Sequence, residues 1–331
     1  MNPNEGGDIA SPGRRGACAV ITGLLCLPMV GMSHAAAWPT RTLRIIVGYP
    51  ASSSPDMVAR VLAEPLARVL GQSVVVENRA GANGAIGAQA VSVGDDHMFG
   101  IMPNAPLVTA PLLNPRLPYT PGRDLLPISL LGTTPFVLVT GSSQSADPQA
   151  FFAAARAAGN KWSYGSSGAG SAAHLGMEVI QRDAGWRAVH VPYQGNPGVL
   201  TALVSGEIQM ALLPPSVVLP HLSTGRVRVI GLAGGRSVLM PSAPSLREYG
   251  FKGAEVEGFL AAVAGRAMAE SQRLLIARAL AGILQVASVR QKLFEMGWKA
   301  VGLGPEALGS RMAQDSAVYG AIVRMLGIAE K

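Results

Sequence analysis

Short apolar runs rich in Val, Ile and Leu alternate along the chain with stretches whose apolar residues recur at helical spacing. Leu43–Val47 reads as a strand, and Val58, Val61, Leu62, Leu66 and Val69 predict a helix from Pro55 to Leu70 that ends at Gly71. Pro65 inside it predicts a kink or a broken hydrogen-bond ladder. Further strands are expected at Ser73–Glu77, Phe99–Pro103, Ile128–Leu131 and Phe136–Thr140, with a helix at Ala85–Val93. A second half begins near Gly141. Helices are expected there at Asp147–Ala158, Ser171–Ala184 and Gly198–Val204, and strands at Trp162–Gly165, Val189–Val191, Met210–Leu213 and Val227–Ala233. The run Phe259–Val263 leads into helices at Ser271–Ala287, Ser288–Met296 and Pro305–Leu326, a tail that would return to the first lobe. Such alternation argues for α/β layers with a parallel sheet.

The segment LRIIVGYPASSSPDMVAR, Leu43 to Arg60, carries the most chemistry. A strand runs into a loop of small residues and then a helix start. Ser54 suits an N-cap, Pro55 the first turn and Asp56 the positive end of the dipole. Backbone N–H groups at such an end form an anion site. A second loop of this kind is Gly165 to His174, GSSGAGSAAH. Gly168 to Ala173 matches the dinucleotide fingerprint, but no acid follows the next strand, which offers Pro192-Tyr193-Gln194. Neither Ser166 nor Ser167 has the flanking glycines of a nucleophile elbow. The loop is therefore expected to be a second amide-rich helix N-terminus.

The first residues are not read as fold. Arg14 and Arg15 precede an apolar stretch, Ala17 to Met32, shorter than the roughly 20 residues that span a bilayer. Ser33-His34-Ala35-Ala36-Ala37 then offers small residues for cleavage after Ala35 or Ala37, so residues 1–37 read as a signal peptide for export to the periplasm. The Arg pair leaves the Sec and twin-arginine routes both open. Cys18 and Cys26 both fall in this segment, so the exported chain would have no disulfide and rely on a large core. Hydrophobic content of 49% and charge of 14% fit that expectation. The net charge of +7 is scattered and aromatics are 5%, which argues against nucleic acid as a partner. His97, His174, His190 and His221 show no metal-ligand spacing, and Asp95-Asp96 reads as a solvated turn. No metal, cofactor or catalytic residue is expected.

Seven segments, in order, carry a resemblance. They are WPTRTLRIIVGYPASSSPD (Trp38–Asp56), VVVENRAGANGAIGA (Val74–Ala88), LPYTPGRDLLPISLLG (Leu117–Gly132), YGSSGAGSAAHL (Tyr164–Leu175), VHVPYQGNPGVLTALVSGEIQM (Val189–Met210), MPSAPSLREYGFKG (Met240–Gly253) and the Gly297–Pro305 turn. In these the chain resembles the Bug receptors, the extracytoplasmic solute-binding proteins of tripartite tricarboxylate transporters. The resemblance implies a type II periplasmic-binding-protein fold, two α/β lobes around a ligand cleft. Residues 38–141 and 259–331 would form one lobe and 142–258 the other, with a two-segment hinge at Pro135–Thr140 and Glu257–Val263. It implies a monomer that binds a small carboxylate, a di- or tricarboxylate or an aromatic acid, and delivers it to membrane permease subunits. A sensor subunit, or a hydrolase or transferase on a related fold, are the competing readings.

The implied ligand-binding residues are Tyr49, Pro50, Ala51, Ser52, Ser53 and Ser54 in the first loop, Asn104 after a strand, and Ser166, Ser167, Gly168, Ala169, Gly170, Ser171 and His174 in the second loop. Tyr193, Gly195 and Asn196 complete the set. Two departures from the family pattern bear on the ligand. Ser52-Ser53 stands where most relatives have a glycine pair. Leu213-Pro214-Pro215-Ser216 stands where many carry an acid, which disfavours a ligand ammonium.

Overall fold

The computed structural model describes residues 38–251 and 256–327. Residues 1–37, read from sequence as a signal peptide, lie outside the described residues. The strands are β1 (Leu43–Val47), β2 (Val74–Asn78), β3 (Met98–Pro103), β4 (Leu126–Gly141), β5 (Ser163–Ser166), β6 (Val189–Pro192), β7 (Met210–Leu213), β8 (Val227–Ala233), β9 (Glu257–Ala264) and β10 (Lys299–Leu303). The helices are α1 (Ser54–Leu70), α2 (Ala85–Ser92), α3 (Ala110–Leu113), α4 (Pro148–Ala158), α5 (Ala172–Ala184), α6 (Asn196–Ser205), α7 (Pro215–Leu222), α8 (Glu270–Ile283), α9 (Ala287–Glu295) and α10 (Pro305–Leu326). Among the described residues no single helix is long and apolar enough to cross a membrane.

The strands form one sheet in the order β2-β1-β3-β9-β4-β7-β5-β6, with β8 and β10 also paired to β4. Its two halves meet on β4, a 16-residue strand. Residues Leu126 to Pro135 of β4 pair antiparallel with β9, and Val137 to Thr140 pair antiparallel with β7. The expected pair of strands is therefore one. Gly132 to Pro135 reads as a break in sequence because Gly and Pro weaken strands. Here those residues keep their partners Leu260 to Glu257 on β9. The sheet is also mixed rather than parallel. β1, β2 and β3 pair in parallel, as do β5, β6 and β7, but β9 runs antiparallel to β3, and β4 runs antiparallel to both β9 and β7.

Helix α1 shows how the pattern becomes packing. Val58, Leu62 and Leu66, spaced by four, are fully buried in a cluster with Ile45, Phe99, Leu260 and Leu280. Burying each such side chain contributes about 1.5–3 kcal/mol. The helix is assigned without interruption through Pro65. Proline costs the donor of that one residue, and the buried face on either side holds the helix together. A second cluster gathers Phe151, Tyr164, Leu212 and Leu308, and a third Val137, Leu203, Leu213 and Val218. Sequence reasoning missed α7, and β10 occupies a segment read as a turn.

Two local devices set the loop between β1 and α1. The first is steric. A Cβ on Gly87 would lie 2.5 Å from Cα of Gly48, and a Cβ on Gly48 would lie 2.6 Å from the carbonyl oxygen of Gly84. Only hydrogen at these positions lets α2 sit against the loop. The second is electrostatic. Asp56 is 1% exposed. It accepts the Ser52 N–H at 2.8 Å, the Asn78 amide at 2.9 Å and the Arg60 Nε at 3.0 Å. Asn78 Nδ2 also donates to the Tyr49 carbonyl at 3.0 Å. Burial pushes the Asp56 carboxyl up, but hydrogen bonds from Arg60, Asn78 and the Ser52 N–H outweigh it and hold the group below its ordinary value.

Two outcomes follow. Gly to Ala inside a helix ordinarily adds up to about 1 kcal/mol, but Gly87→Ala should cost about 1–3 kcal/mol through overpacking. Urea unfolding measures this, and a gain in stability would contradict the close approach. For Asp56 the depressed folded-state value means its stabilisation is complete above the unfolded carboxylate range, near 3.9, and is lost as pH falls through the folded value. Asp56→Asn should therefore cost about 1.5–3 kcal/mol at neutral pH, with the gap to wild type closing below about pH 4. A gap that is constant with pH would show that the carboxylate charge is not what holds the loop.

Candidate functional site

The carboxyl ends of strands in both halves of the sheet release loops that enter helices α1, α5, α6 and α7. Residues at or beside the start of each of these helices line one cavity of about 350 Å³. Ser53 caps α1, and Ser54 is its first helical residue rather than the cap expected from sequence. The Ser53 side chain makes no capping bond. Ser54 Oγ instead accepts the Trp298 indole N–H at 2.8 Å. Ser52 takes a left-handed conformation, φ 64°, as do Ala82 and Asn83 in the facing turn. These three are the non-glycine residues of positive φ among the described residues, and all line the cleft region. Such backbone costs about 1–3 kcal/mol per residue and persists where surroundings over-determine it. The Tyr49 hydroxyl, 2.9 Å from the Asn83 carbonyl oxygen, ties the two loops together.

The second loop, residues 166–171, rests on two imidazoles. Ser171 caps α5, its Oγ accepting the His174 N–H at 3.2 Å. The Gly170 N–H donates to His174 Nδ1 at 3.0 Å, so that nitrogen is unprotonated. His190 Nε2 lies 2.7 Å from Ser166 Oγ. Ser166 in turn donates to the Gly168 carbonyl at 2.9 Å, so the imidazole is the donor of the pair. The two rings stack with centroids 3.9 Å apart, and Tyr164 stacks on His190 at 5.0 Å while its hydroxyl bonds Glu178. Burial, helped by the neighbouring His174, pushes His190 down to about 4. Burial also lowers His174, against the pull of Glu178. Both rings are neutral at neutral pH and serve as packing under the loop.

The sequence-derived residues fall into three groups. Tyr49, Pro50, Ala51, Ser52, Ser53, Ser54, Asn104, Ser167, Ser171, Gly195 and Asn196 line the 350 Å³ cavity. Gly168, Ala169, Gly170, His174 and Tyr193 line an adjoining cavity of about 580 Å³ that shares Tyr49, Pro50, Ser167 and Gly195. Ser166 lines neither. It is fully buried, and its hydroxyl is spent on Gly168 and His190. The sequence reading missed Asn83, Thr134, Phe136, Ser216, Val217, Phe259 and Trp298, all in the first cavity. For Ser216 a signal was present. Pro215 suits the first turn of a helix, which would have marked Ser216 as another helix start.

The electrostatics of the main cavity are unusual for an anion site. Among its described lining residues none carries a charged side chain. The positive field comes from the converging helix ends. Three buried polar atoms, Ser53 Oγ, Asn104 Nδ2 and Ser216 Oγ, have no hydrogen-bond partner in the protein, and all three sit on residues that line this cavity. Asn104 is only 4% exposed. Leaving a buried polar group unpaired costs about 1–3 kcal/mol, so three in one cavity mark a place where a polar ligand would complete the structure. The acidic turn at Asp95 and Asp96 is different. Its carboxylates pair with Arg41, Arg44 and His97.

Comparison with known proteins identifies the arrangement. The model of a family described as "Tripartite tricarboxylate transporter family receptor" matches residues 58–328. Protein BugT of Bordetella pertussis is 31% identical over 295 residues, which cover 88% of this chain and 90% of that protein. A solved structure described as R. palustris Rpa4515 with adipate superposes with a TM-score of 0.83 at 26% identity, covering 88% of this chain and 99% of that one. MatC from Rhodopseudomonas palustris with bound malate gives a TM-score of 0.79 at 25% identity, covering 86% and 99%. The mixed sheet with helices on its faces and a cleft lined by both halves is the type II periplasmic-binding-protein fold. With the family model spanning most of its length, this chain belongs to the tripartite tricarboxylate transporter receptor family.

Proposed function

We propose that this chain is a periplasmic receptor that captures a small carboxylate in the 350 Å³ cavity and hands it to membrane permease subunits without chemical change. The observation that carries this reading is a cavity without charged side chains, fed by four helix N-termini, whose lining residues hold three unpartnered buried polar atoms. The carboxylate would sit between the loop from Tyr49 to Ser54 and the loop from Ser167 to Ser171. Asn104 Nδ2, serine hydroxyls and loop amides would hold it. The relatives solved with adipate and malate support the ligand class. The pair Ser166 and His190 does not support an enzyme. Its serine is buried away from both cavities and its imidazole is a donor held neutral.

In this reading the halves of the sheet are two lobes, residues 38–141 with 259–331 and residues 142–258. They would hinge where β4 and β9 pass between them, near Pro135 and Glu257, and close on the ligand.

A thermal-shift screen of mono- and dicarboxylates tests the function. A ligand at 100 times its dissociation constant should add about 2.7 kcal/mol to stability. Its saturation should compact the protein in small-angle scattering and leave the ligand intact over hours. Dimensions that do not change, or ligand consumption, would contradict the receptor reading. Gly168→Val tests the grip. Gly168 has φ 141° and faces Asn83 across the cleft, 3.5 Å from where a Cβ would stand. The branched side chain should displace the loop and abolish binding in isothermal titration, and full affinity in the variant would rule out this placement.

A further inference from the structure

The strands that pass between the two halves of the sheet separate two cavities. On β4, Thr134 and Phe136 line the main cavity, and Pro135 between them lines another of about 720 Å³. On β9, Gly258 lines the main cavity and Glu257 the other. Where β10 begins, Trp298 and Lys299 divide in the same way. Successive residues of a strand point to opposite faces of a sheet. The second cavity therefore lies behind the crossing strands, on the far side from the ligand cleft. Its walls come from both halves: α10 supplies one, and residues 233–238 the other. The α10 wall is fixed to the crossing itself. Arg311 Nη1 donates to the Glu257 carboxylate at 3.0 Å, and Nη2 to the Glu257 carbonyl at 3.2 Å. Each wall carries a valine open to water, Val318 on α10 at 49% exposure and Val238 on the other at 67%.

At the front the halves touch. A Cβ on Gly170 would lie 2.0 Å from Leu113 Cδ1, and one on Gly168 would lie 3.5 Å from Asn83 Cγ. The second loop thus rests on the first half across the mouth of the cleft, while the rear walls stand apart around their cavity. A bend of the crossing strands that widens one cavity narrows the other. Opening the front would therefore bring the rear walls together and take Val238 and Val318 out of water. Burying that apolar surface stabilises the open form. We propose that the rear cavity is the counterpart of the ligand cleft: its walls meet in the open receptor, and their contact sets how far the unliganded protein is shut. This rests on the hinged lobes proposed above.

A bulky side chain on a rear wall tests this, because it would hold the walls apart and shift the population toward the shut form. Residues 38–331 hold no cysteine, so a pair of spin labels can be placed through Ala80→Cys and Pro192→Cys. Both positions are exposed and line the 580 Å³ cavity at the mouth, one in each half. Pulsed electron spin resonance on the unliganded exported chain then gives the distribution of distances across the mouth. Val318→Trp and Val238→Trp, one on each wall and neither lining the main cavity, should each raise the share of molecules at the short distance at least threefold. Circular dichroism confirms that both variants fold. A share that either variant leaves unchanged or lowers would overturn this inference, as would a wild type already shut throughout. Adipate and malate, added to the labelled wild type, report on the hinge separately. Shortening with either acid but not with tryptophan would sink the rear contact alone and leave the hinged receptor standing. A distance that neither the acids nor the tryptophans move would take the hinged lobes with it.

Discussion

The buried carboxylate of Asp56 is the constraint on which the site depends. It sits in the first turn of α1, where an acid suits the helix dipole. There it accepts the N–H of Ser52, a residue whose backbone is left-handed without being glycine. Through Asn78 it also fixes the carbonyl of Tyr49. The charge is turned under the loop and compensated by Arg60, which keeps it out of the cavity. The strain at Ser52 and the unpartnered Ser53 hydroxyl are tolerable because this network over-determines the loop.

A cavity without charged lining residues has consequences for strength as well as for choice. Hydrogen bonds to an ionised carboxylate are already stronger than neutral ones. In the proposed site, neutral amides, hydroxyls and helix ends would supply such bonds without the further pull of a paired cation. The second loop follows the same rule. Its support is a stack of two neutral imidazoles rather than an ion pair, and burial keeps them neutral. Carrying no charge, the stack adds none to the cleft that the loop borders.

Much of this was legible in sequence because it is local. The apolar spacing of Val58, Leu62 and Leu66 placed α1, and the small-residue loops after β1 and β5 marked both sides of the cleft. Long-range pairing was not legible. Gly132 to Pro135 look like a break until β9 supplies their partners, so β4 was read as two strands. Trp298, Ser216 and Phe259 come from distant segments, and only the assembled sheet brings them to one cavity. Ser166 misled for the opposite reason. It sits in the right loop, but the strand alternation turns its side chain toward His190 and away from the cleft.

The central claim is that neutral donors hold a carboxylate between the two halves of the sheet. A crystal structure of the protein grown with a carboxylate that binds it tests it most directly. The account places carboxylate oxygens about 2.7–3.2 Å from Asn104 Nδ2 and from loop hydroxyls or amides of residues 52–54 and 167–171, with no Arg or Lys nitrogen within about 4 Å. A carboxylate paired to an arginine or lysine, or bound outside this cleft, would contradict it.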